Sequence, residues 1–228
     1  MNRLILDVET AGTTDKPLVY DLGFQIVGND FNVILERNYV VRDVFFGMSD
    51  KMITAYYSEK LPQYYIEIAD GTRTVENFLD IYKRVKELCK TYNISQVWAY
   101  NARFDRLALN YTIEFLSNGF VSWFMPYGVE WKCIQGAAVS TFLNSTRFFK
   151  FAIKNNMVSP SGNVRTTAEA AYSYLIGEEF TEAHTGLEDV KIEAAILQKA
   201  LSQHKKMDTK PSRAHWRTPQ SKFKAYTA

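Results

Sequence analysis

The chain opens with the stretch Leu4-Ile5-Leu6-Asp7-Val8-Glu9-Thr10, an apolar run that carries two acids. The run from residue 3 to residue 8 predicts a β-strand in the core. Asp7 and Glu9 are two positions apart on it, so their side chains share one face, roughly 6–7 Å apart along the strand. Two like charges at this distance repel each other unless a cation lies between them. Taken alone, an Asp-x-Glu pair is most often a solvated strand edge, but burial of this strand favours a metal site.

Two further strands and a hairpin are predicted next. Residues 18–27 and 31–41 are rich in Val, Ile, Phe and Tyr, and the turn-forming triplet Gly28-Asn29-Asp30 separates them. Beyond residue 73 the patterns predict helices over 74–92, 104–116, 166–175 and 187–201, a strand over 96–100, and a strand running into a helix over 132–143. This order predicts an α/β domain over residues 1–203. Its mixed sheet is predicted to have three antiparallel strands followed by parallel strands, and helices are predicted to flank the sheet.

Composition is typical of a soluble globular protein. Of the 228 residues, 46% are hydrophobic and 23% are charged, which suits one domain with a full core. The net charge of +2 neither indicates nor excludes a nucleic-acid partner, because a local basic patch is enough. Cys89 and Cys133 form no CxxC motif and are expected to be reduced and buried. The sequence predicts neither a signal peptide nor a membrane span, so we expect a cytoplasmic protein.

Two segments fall outside this regular pattern. Residues 45–65 are irregular and rich in tyrosine, and the stretch from residue 56 to residue 65 predicts either a platform for stacking bases or aromatic filler beneath a loop. Residues 204–228 hold seven Lys or Arg side chains against one Asp and lack apolar periodicity. They predict an extended basic tail, which could hold phosphates, dock a partner or simply be solvated.

A third acid, Asp105, follows the strand predicted over 96–100 and stands at the start of a helix. The carboxyl ends of strands are where α/β folds carry their chemistry. An Asp in the first turn of a helix is also favoured by the helix dipole alone, so this position is ambiguous by itself.

The last two candidates are His184 and Asp189. Thr185 and Glu188 have the spacing of a capping box, which predicts that a helix begins at Gly186. His184 would then lie in the loop before the helix, and Asp189 would be fixed in its first turn. A surface histidine beside a normally capped helix is the ordinary alternative.

Together Asp7, Glu9, Asp105, His184 and Asp189 predict one reaction. Four carboxylates are what two divalent metal ions require, and oxygen ligands suit Mg²⁺ or Mn²⁺. A single imidazole suits a general base that activates water. The set is typical of metal-assisted hydrolysis of a phosphodiester.

Over residues 1–203 the chain resembles the DEDD superfamily of 3'-5' exonucleases, in its histidine-containing subclass (DEDDh), which has a ribonuclease H-like fold. The motifs that carry the resemblance are Leu6-Asp7-Val8-Glu9-Thr10, Tyr20-Asp21-Leu22-Gly23-Phe24-Gln25-Ile26-Val27, Tyr100-Asn101-Ala102-Arg103-Phe104-Asp105 and His184-Thr185-Gly186-Leu187-Glu188-Asp189. The resemblance implies an enzyme that releases nucleoside monophosphates from the 3' end of single-stranded nucleic acid, with DNA favoured over RNA.

The resemblance also implies a role for each of the five side chains. Asp7, Glu9 and Asp189 would hold the metal ion that carries the nucleophilic water. Asp7 would bridge to a second ion, which Asp105 would support through water. His184 would accept the proton of the attacking water.

Three more residues are implied in substrate binding. Backbone groups near Thr10 would contact the terminal 3' hydroxyl, with Asn101 nearby and Phe104 stacking on or wedging a base. Replication or repair proteins are the protein partners that the family suggests. The alternatives are an exoribonuclease of the same family, a ribonuclease H-like endonuclease, and a catalytically silent nucleic-acid-binding subunit. The complete set of five side chains argues against the last, and the four-residue gap between His184 and Asp189 argues against the endonuclease.

Overall fold

The computed structural model of the chain describes residues 1–53, 55–212 and 214–227. Thr54, in the tyrosine-rich segment, and Arg213 and Ala228, in the basic tail, lie outside the described residues. The chain forms two compact units. The first comprises residues 1–97, 104–130 and 183–190, and the second comprises residues 98–103, 131–182 and the chain from residue 191 onwards.

A mixed sheet of six strands has the order β4-β3-β2-β1-β5-β6. Its strands are β1 (Arg3–Thr13), β2 (Lys16–Val27), β3 (Val33–Val41), β4 (Thr74–Glu76), β5 (Gln96–Ala99) and β6 (Glu130–Cys133). β1 pairs antiparallel with β2, β2 pairs antiparallel with β3, and β4 joins β3 in parallel. The predicted fold class, with three antiparallel strands followed by parallel strands, is confirmed.

Helices connect and flank these strands. They are α1 (Arg42–Phe45), α2 (Ser49–Met52), α3 (Leu61–Ala69), α4 (Phe78–Thr91), α5 (Ala102–Leu116), α6 (Ile134–Ala138), α7 (Thr146–Lys154), α8 (Ala168–Ile176), α9 (Gly186–Leu201) and α10 (Thr218–Thr227). Short 3-10 turns cover Ser58–Lys60 and His215–Arg217, and a π-helical turn covers Val139–Leu143. The helix predicted from residue 74 begins at Phe78 instead, because Thr74–Glu76 pairs with β3.

The first strand has its expected place in the core. Leu4, Ile5 and Leu6 are at most 2% exposed, and β1 has β2 and β5 as its neighbours in the sheet. The pairing of β1 with β2 sets Asp7 opposite Gly23 and shifts its register between Glu9 and Thr10. Such a β-bulge bends a strand and re-aims its side chains, and bulges are common next to functional sites.

The end of the chain differs from the extended conformation predicted for it. Thr218–Thr227 is a helix whose Phe223 is 2% exposed and packs edge-on against Phe149, with ring centroids 5.3 Å apart. The side chain of Gln220 accepts from the N–H of Val164 at 2.9 Å and donates to its carbonyl at 3.0 Å. Tyr226 also contacts Phe149, with ring centroids 5.9 Å apart, and Lys222 donates to the carbonyl of Asn144 at 2.9 Å. Most of these contacts are made by polar or half-exposed side chains, so they leave no apolar period in the sequence. Within the described part of the chain, every helix is too short or too polar to cross a membrane.

Candidate metal centre

The centre is built on the middle of β1. Side chains alternate along a strand, so Asp7 and Glu9 point to the same side of the sheet. Asp7 is half-buried, and Glu9 is only 9% exposed. Two acids are therefore held close together at the position where the register of the β1–β2 pair shifts.

Glu9, His184 and Asp189 converge in space. Each offers one ligand atom, and these three atoms all lie within 4.8 Å of one another. The three residues are far apart in sequence: Glu9 is on β1, His184 is in the loop before α9, and Asp189 is in the first turn of α9. Asp7 and Asp105 are not members of this group of three.

Two glycines let α9 approach the sheet so closely. A Cβ atom on Gly23 would lie 2.1 Å from both the carbonyl carbon of Gly186 and the backbone nitrogen of Leu187. A Cβ on Gly186 would lie 2.5 Å from the backbone nitrogen of Gly23. No side chain fits at either position, because the start of α9 lies directly against the backbone of β2. Since Gly23 is paired with Asp7, this contact fixes α9 beside the first acidic motif.

A buried ionic network anchors the same contact, and the sequence reasoning missed it. Asp21 on β2 is fully buried and accepts a hydrogen bond from the backbone N–H of Gly186 at 3.0 Å. The same oxygen accepts from the Tyr64 hydroxyl at 2.5 Å and from the Arg73 guanidinium at 2.8 Å. Arg73 also pairs with Glu67. The available signal was Asp21 itself, a charge in an apolar strand that requires a buried partner.

Asp21 replaces part of the predicted cap of α9. The helix begins at Gly186, as predicted, and the N–H of Asp189 donates to the carbonyl of Thr185 at 3.0 Å. The Thr185 hydroxyl, however, is buried and has no hydrogen-bond partner among the described residues. The first free N–H of the helix is satisfied instead by a carboxylate that is 165 positions away in sequence.

Burial changes the pKa of the Asp189 carboxyl group. The residue is 7% exposed, and burial raises the pKa of its carboxyl group to about 7, although backbone hydrogen bonds from His184 and Thr185 lower it. Its Oδ1 atom is buried and accepts no hydrogen bond within the described part of the chain. A buried carboxylate oxygen in this state is costly unless a cation neutralises it.

Asp105 lies against β1 as well. It is 3% exposed, and burial raises the pKa of its carboxyl group to about 7. Backbone hydrogen bonds from its own N–H and from that of Val8 act in the opposite direction. The bond to Val8 sets the Asp105 carboxyl group beside the strand residue that separates Asp7 from Glu9.

His184 has an unusual backbone conformation and a well-defined neighbour. Its φ of 56° is in the left-handed region, which histidine adopts more readily than most residues but at a cost of about 1 kcal/mol. Its imidazole lies parallel to the ring of Tyr57, with centroids 4.0 Å apart and an interplanar angle of 10°. The histidine is therefore in the loop before α9, as predicted, but it is held by a stacked ring.

The three predicted substrate contacts have different environments. Thr10 is half-buried at the bulge of β1, and Phe104 is half-buried in the first turn of α5. Asn101 is exposed directly before α5. Their contact with a nucleotide stays a prediction.

The donor set fits a divalent cation. Two carboxylates and one imidazole have ligand atoms close together, and among the described residues the buried Oδ1 of Asp189 has no hydrogen-bond partner. Both observations are expected of residues shaped to surround a metal ion. The group of Glu9, His184 and Asp189 could therefore hold a metal ion.

Comparisons with known proteins identify the fold. No family model matches the chain, and no curated protein matches it in sequence. Among solved structures, the nuclease domain of 3'hExo, a DEDDh family member bound to rAMP, has a TM-score of 0.53 and 15% identity, with 92% of this chain and 96% of that chain covered. A full-length 3'-exonuclease has a TM-score of 0.55 and 15% identity, with 91% and 62% covered.

Exonuclease I of E. coli in complex with a dT13 oligonucleotide is also similar, with a TM-score of 0.52 and 16% identity. That match covers 89% of this chain but only 41% of the length of Exonuclease I. At these identities the likeness establishes the architecture. The chain has the ribonuclease H-like fold of the DEDDh exonucleases.

Proposed function

We propose that the protein is a DEDDh-type 3'-5' exonuclease. It would hydrolyse single-stranded nucleic acid from its 3' end, with DNA favoured, and release nucleoside monophosphates. The observation that carries the proposal is the convergence of Glu9, His184 and Asp189 within 4.8 Å in a fold shared with exonucleases.

The acids of the centre would hold two divalent ions, Mg²⁺ or Mn²⁺. Glu9 and Asp189 would bind one ion together with Asp7, and Asp7 and Asp105 would serve the second. When bound, such ions supply a more acidic water and stabilise the charge of the leaving oxygen. The unpaired Oδ1 of Asp189 and the buried carboxyl group of Asp105 support this assignment.

His184 would act as the general base. It lies beside Glu9 and Asp189, which is where a water held by these acids would lose its proton. The backbone near Thr10 would contact the terminal 3' hydroxyl, and Phe104 would stack on or wedge the last base, with Asn101 nearby. Aromatic stacking tolerates any base, which suits an enzyme that removes nucleotides in sequence.

An exoribonuclease is the second candidate, and one observation favours it. The 3'hExo nuclease domain, to which the chain is similar over 92% of its own length, was solved with rAMP. The choice between DNA and RNA depends on how the pocket accommodates a 2' hydroxyl. Both candidate functions would hydrolyse a phosphodiester at the same metal centre.

One assay tests the function. Single-stranded DNA and RNA of the same sequence, labelled at the 5' end, are incubated with the protein and Mg²⁺ or Mn²⁺, and a circular single strand serves as a substrate without ends. We expect stepwise shortening from the 3' end, release of mononucleotides, no attack on the circle, and complete inhibition by EDTA.

Variants make the assay specific. Glu9→Gln should abolish the activity, whereas Asp50→Asn should not affect it, because Asp50 is an exposed acid that pairs with the exposed Lys51 at 3.6 Å. Internal cuts in the circle would identify an endonuclease. Absence of any product from every substrate would leave a binding subunit and refute the proposal.

A further inference from the structure

We infer that Tyr57 is a positioning residue for His184, whose imidazole it holds in its working orientation. The inference builds on the proposed function, because orientation affects the rate only if His184 acts in the reaction. It also assigns a role to the tyrosine-rich segment, residues 45–65, which the motifs of the metal centre leave unexplained.

The first argument is the geometry of the ring pair. The two rings are nearly parallel, at 10°, and their centroids are 4.0 Å apart, which is stacking contact. Rotation of the imidazole about its own side-chain torsion would break this contact. One face of His184 is therefore covered, and the ring is restricted while one of its nitrogens stays close to Glu9 and Asp189.

The second argument is that His184 requires such support. It lies outside α9, with a left-handed φ of 56°, and it is only half-buried. A general base must keep its nitrogen near the reacting water, and a misplacement of about 1 Å can reduce a rate by about 10²-fold.

The third argument is that Tyr57 is itself fixed. Its carbonyl accepts from the N–H of Lys60 at 3.0 Å, and the N–H of Ser58 donates to the carbonyl of the buried Ala55 at 3.1 Å. A few residues later, Tyr64 is fully buried and donates its hydroxyl to Asp21, which also holds Gly186. The segment therefore contacts the start of α9 twice, once through Tyr64 and Asp21 and once through Tyr57.

The kinetic test compares two substitutions of Tyr57. Tyr57→Ala should reduce kcat roughly 10- to 100-fold and leave KM within about 3-fold, because it displaces a base and no substrate contact. Tyr57→Phe keeps the stacked ring and should stay within about 3-fold of wild type. Tyr127→Ala, at a fully exposed tyrosine of the first unit, is the matched control for loss of an aromatic side chain.

A double-mutant cycle distinguishes positioning from a general structural role. If Tyr57 acts through His184, then Tyr57→Ala should have no further effect in a His184→Ala background. Equal losses in both backgrounds would overturn the inference. An increase of kcat in Tyr57→Ala would overturn it too, since the ring would then be a lid over the site.

A spectroscopic readout needs neither metal nor substrate. The chain has three histidines, so the ring protons of His184 can be assigned in the NMR spectrum by comparison with His184→Gln. The Tyr57 ring current should shift them upfield in wild type and Tyr57→Phe, and this shift should vanish in Tyr57→Ala. Identical shifts in all three would refute the stack. If wild type cleaves no substrate, the proposed function fails, and these shifts alone decide whether Tyr57 orients His184.

Discussion

Replacing Asp189 by Asn should stabilise the metal-free protein while removing its ability to use metal. The carboxyl group is buried with an unpaired oxygen, and no protein cation among the described residues pairs with it. An amide of the same shape can still accept the backbone hydrogen bonds from His184 and Thr185. The substitution removes the buried charge. Without a bound metal ion, the Asp189 carboxylate should therefore destabilise the folded protein.

The expected gain in stability of Asp189→Asn follows from the pKa of the Asp189 carboxyl group, which burial raises from 3.8 to about 7. Below about pH 4 the group is protonated in both the folded and the unfolded chain and does not affect stability. Between about pH 4 and pH 7 the Asp189 carboxyl group is ionised in the unfolded chain but still protonated in the folded chain, so the free energy of unfolding falls as the pH rises. Above about pH 7 the group is ionised in both states, and the full cost of the buried charge is present. This rise in pKa corresponds to a loss of about 4 kcal/mol in the free energy of unfolding. If replacement by Asn restores half of that loss, Tm should increase by roughly 4–8 °C.

Thermal unfolding at pH 8 in EDTA measures this effect, with Asp50→Asn as the control for removing an exposed acid. The gain in Tm of Asp189→Asn should shrink as the pH is lowered to 4. Added Mn²⁺ should raise the Tm of wild type but not that of the variant, because a ligand stabilises only the state that binds it. If Asp189→Asn unfolds at or below the wild-type Tm at pH 8, the carboxylate is not strained by burial and the reasoning is wrong.

Three further predictions concern the residues around this acid. His184→Ala should reduce the hydrolysis rate by roughly 10²- to 10⁴-fold with Mn²⁺ binding retained, and near-normal turnover would exclude His184 as the base. Gly23→Ala puts a Cβ 2.1 Å from the backbone of Gly186 and Leu187, so it should displace α9. Mn²⁺ binding should weaken at least about 10-fold in a calorimetric titration. Unchanged affinity would mean that this contact does not hold the helix. Arg73→Met leaves Asp21 buried without its cation and should lower the free energy of unfolding in urea by about 3–5 kcal/mol, whereas a loss below about 1 kcal/mol would contradict a structural role for the pair.

The sequence predicted those parts of the fold that depend on local patterns. The apolar run around Leu6 gave β1, the hairpin triplet separated β2 from β3, and the helix predicted over residues 166–175 corresponds to α8. The motifs around Glu9 and Asp189 could be recognised because each combines acids with a strand end or a helix start.

The remaining features depend on contacts that are distant in sequence. Asp21 receives hydrogen bonds from residues 43, 52 and 165 positions away, and no local pattern predicts such partners. The close approach of Gly23 and Gly186 is likewise visible only once the sheet and α9 are in place. In α10 a single buried Phe223 was too weak a signal to indicate a helix.

Diffraction at the manganese absorption edge, from crystals grown with Mn²⁺ and a nucleoside 5'-monophosphate, tests the metal centre most directly. Two anomalous peaks about 3.5–4 Å apart are expected. Glu9 and Asp189 should bind one ion, Asp7 should lie between the two, and Asp105 should face the second. Peaks confined to other parts of the surface, or one ion bound without Asp7, would contradict a two-ion nuclease centre.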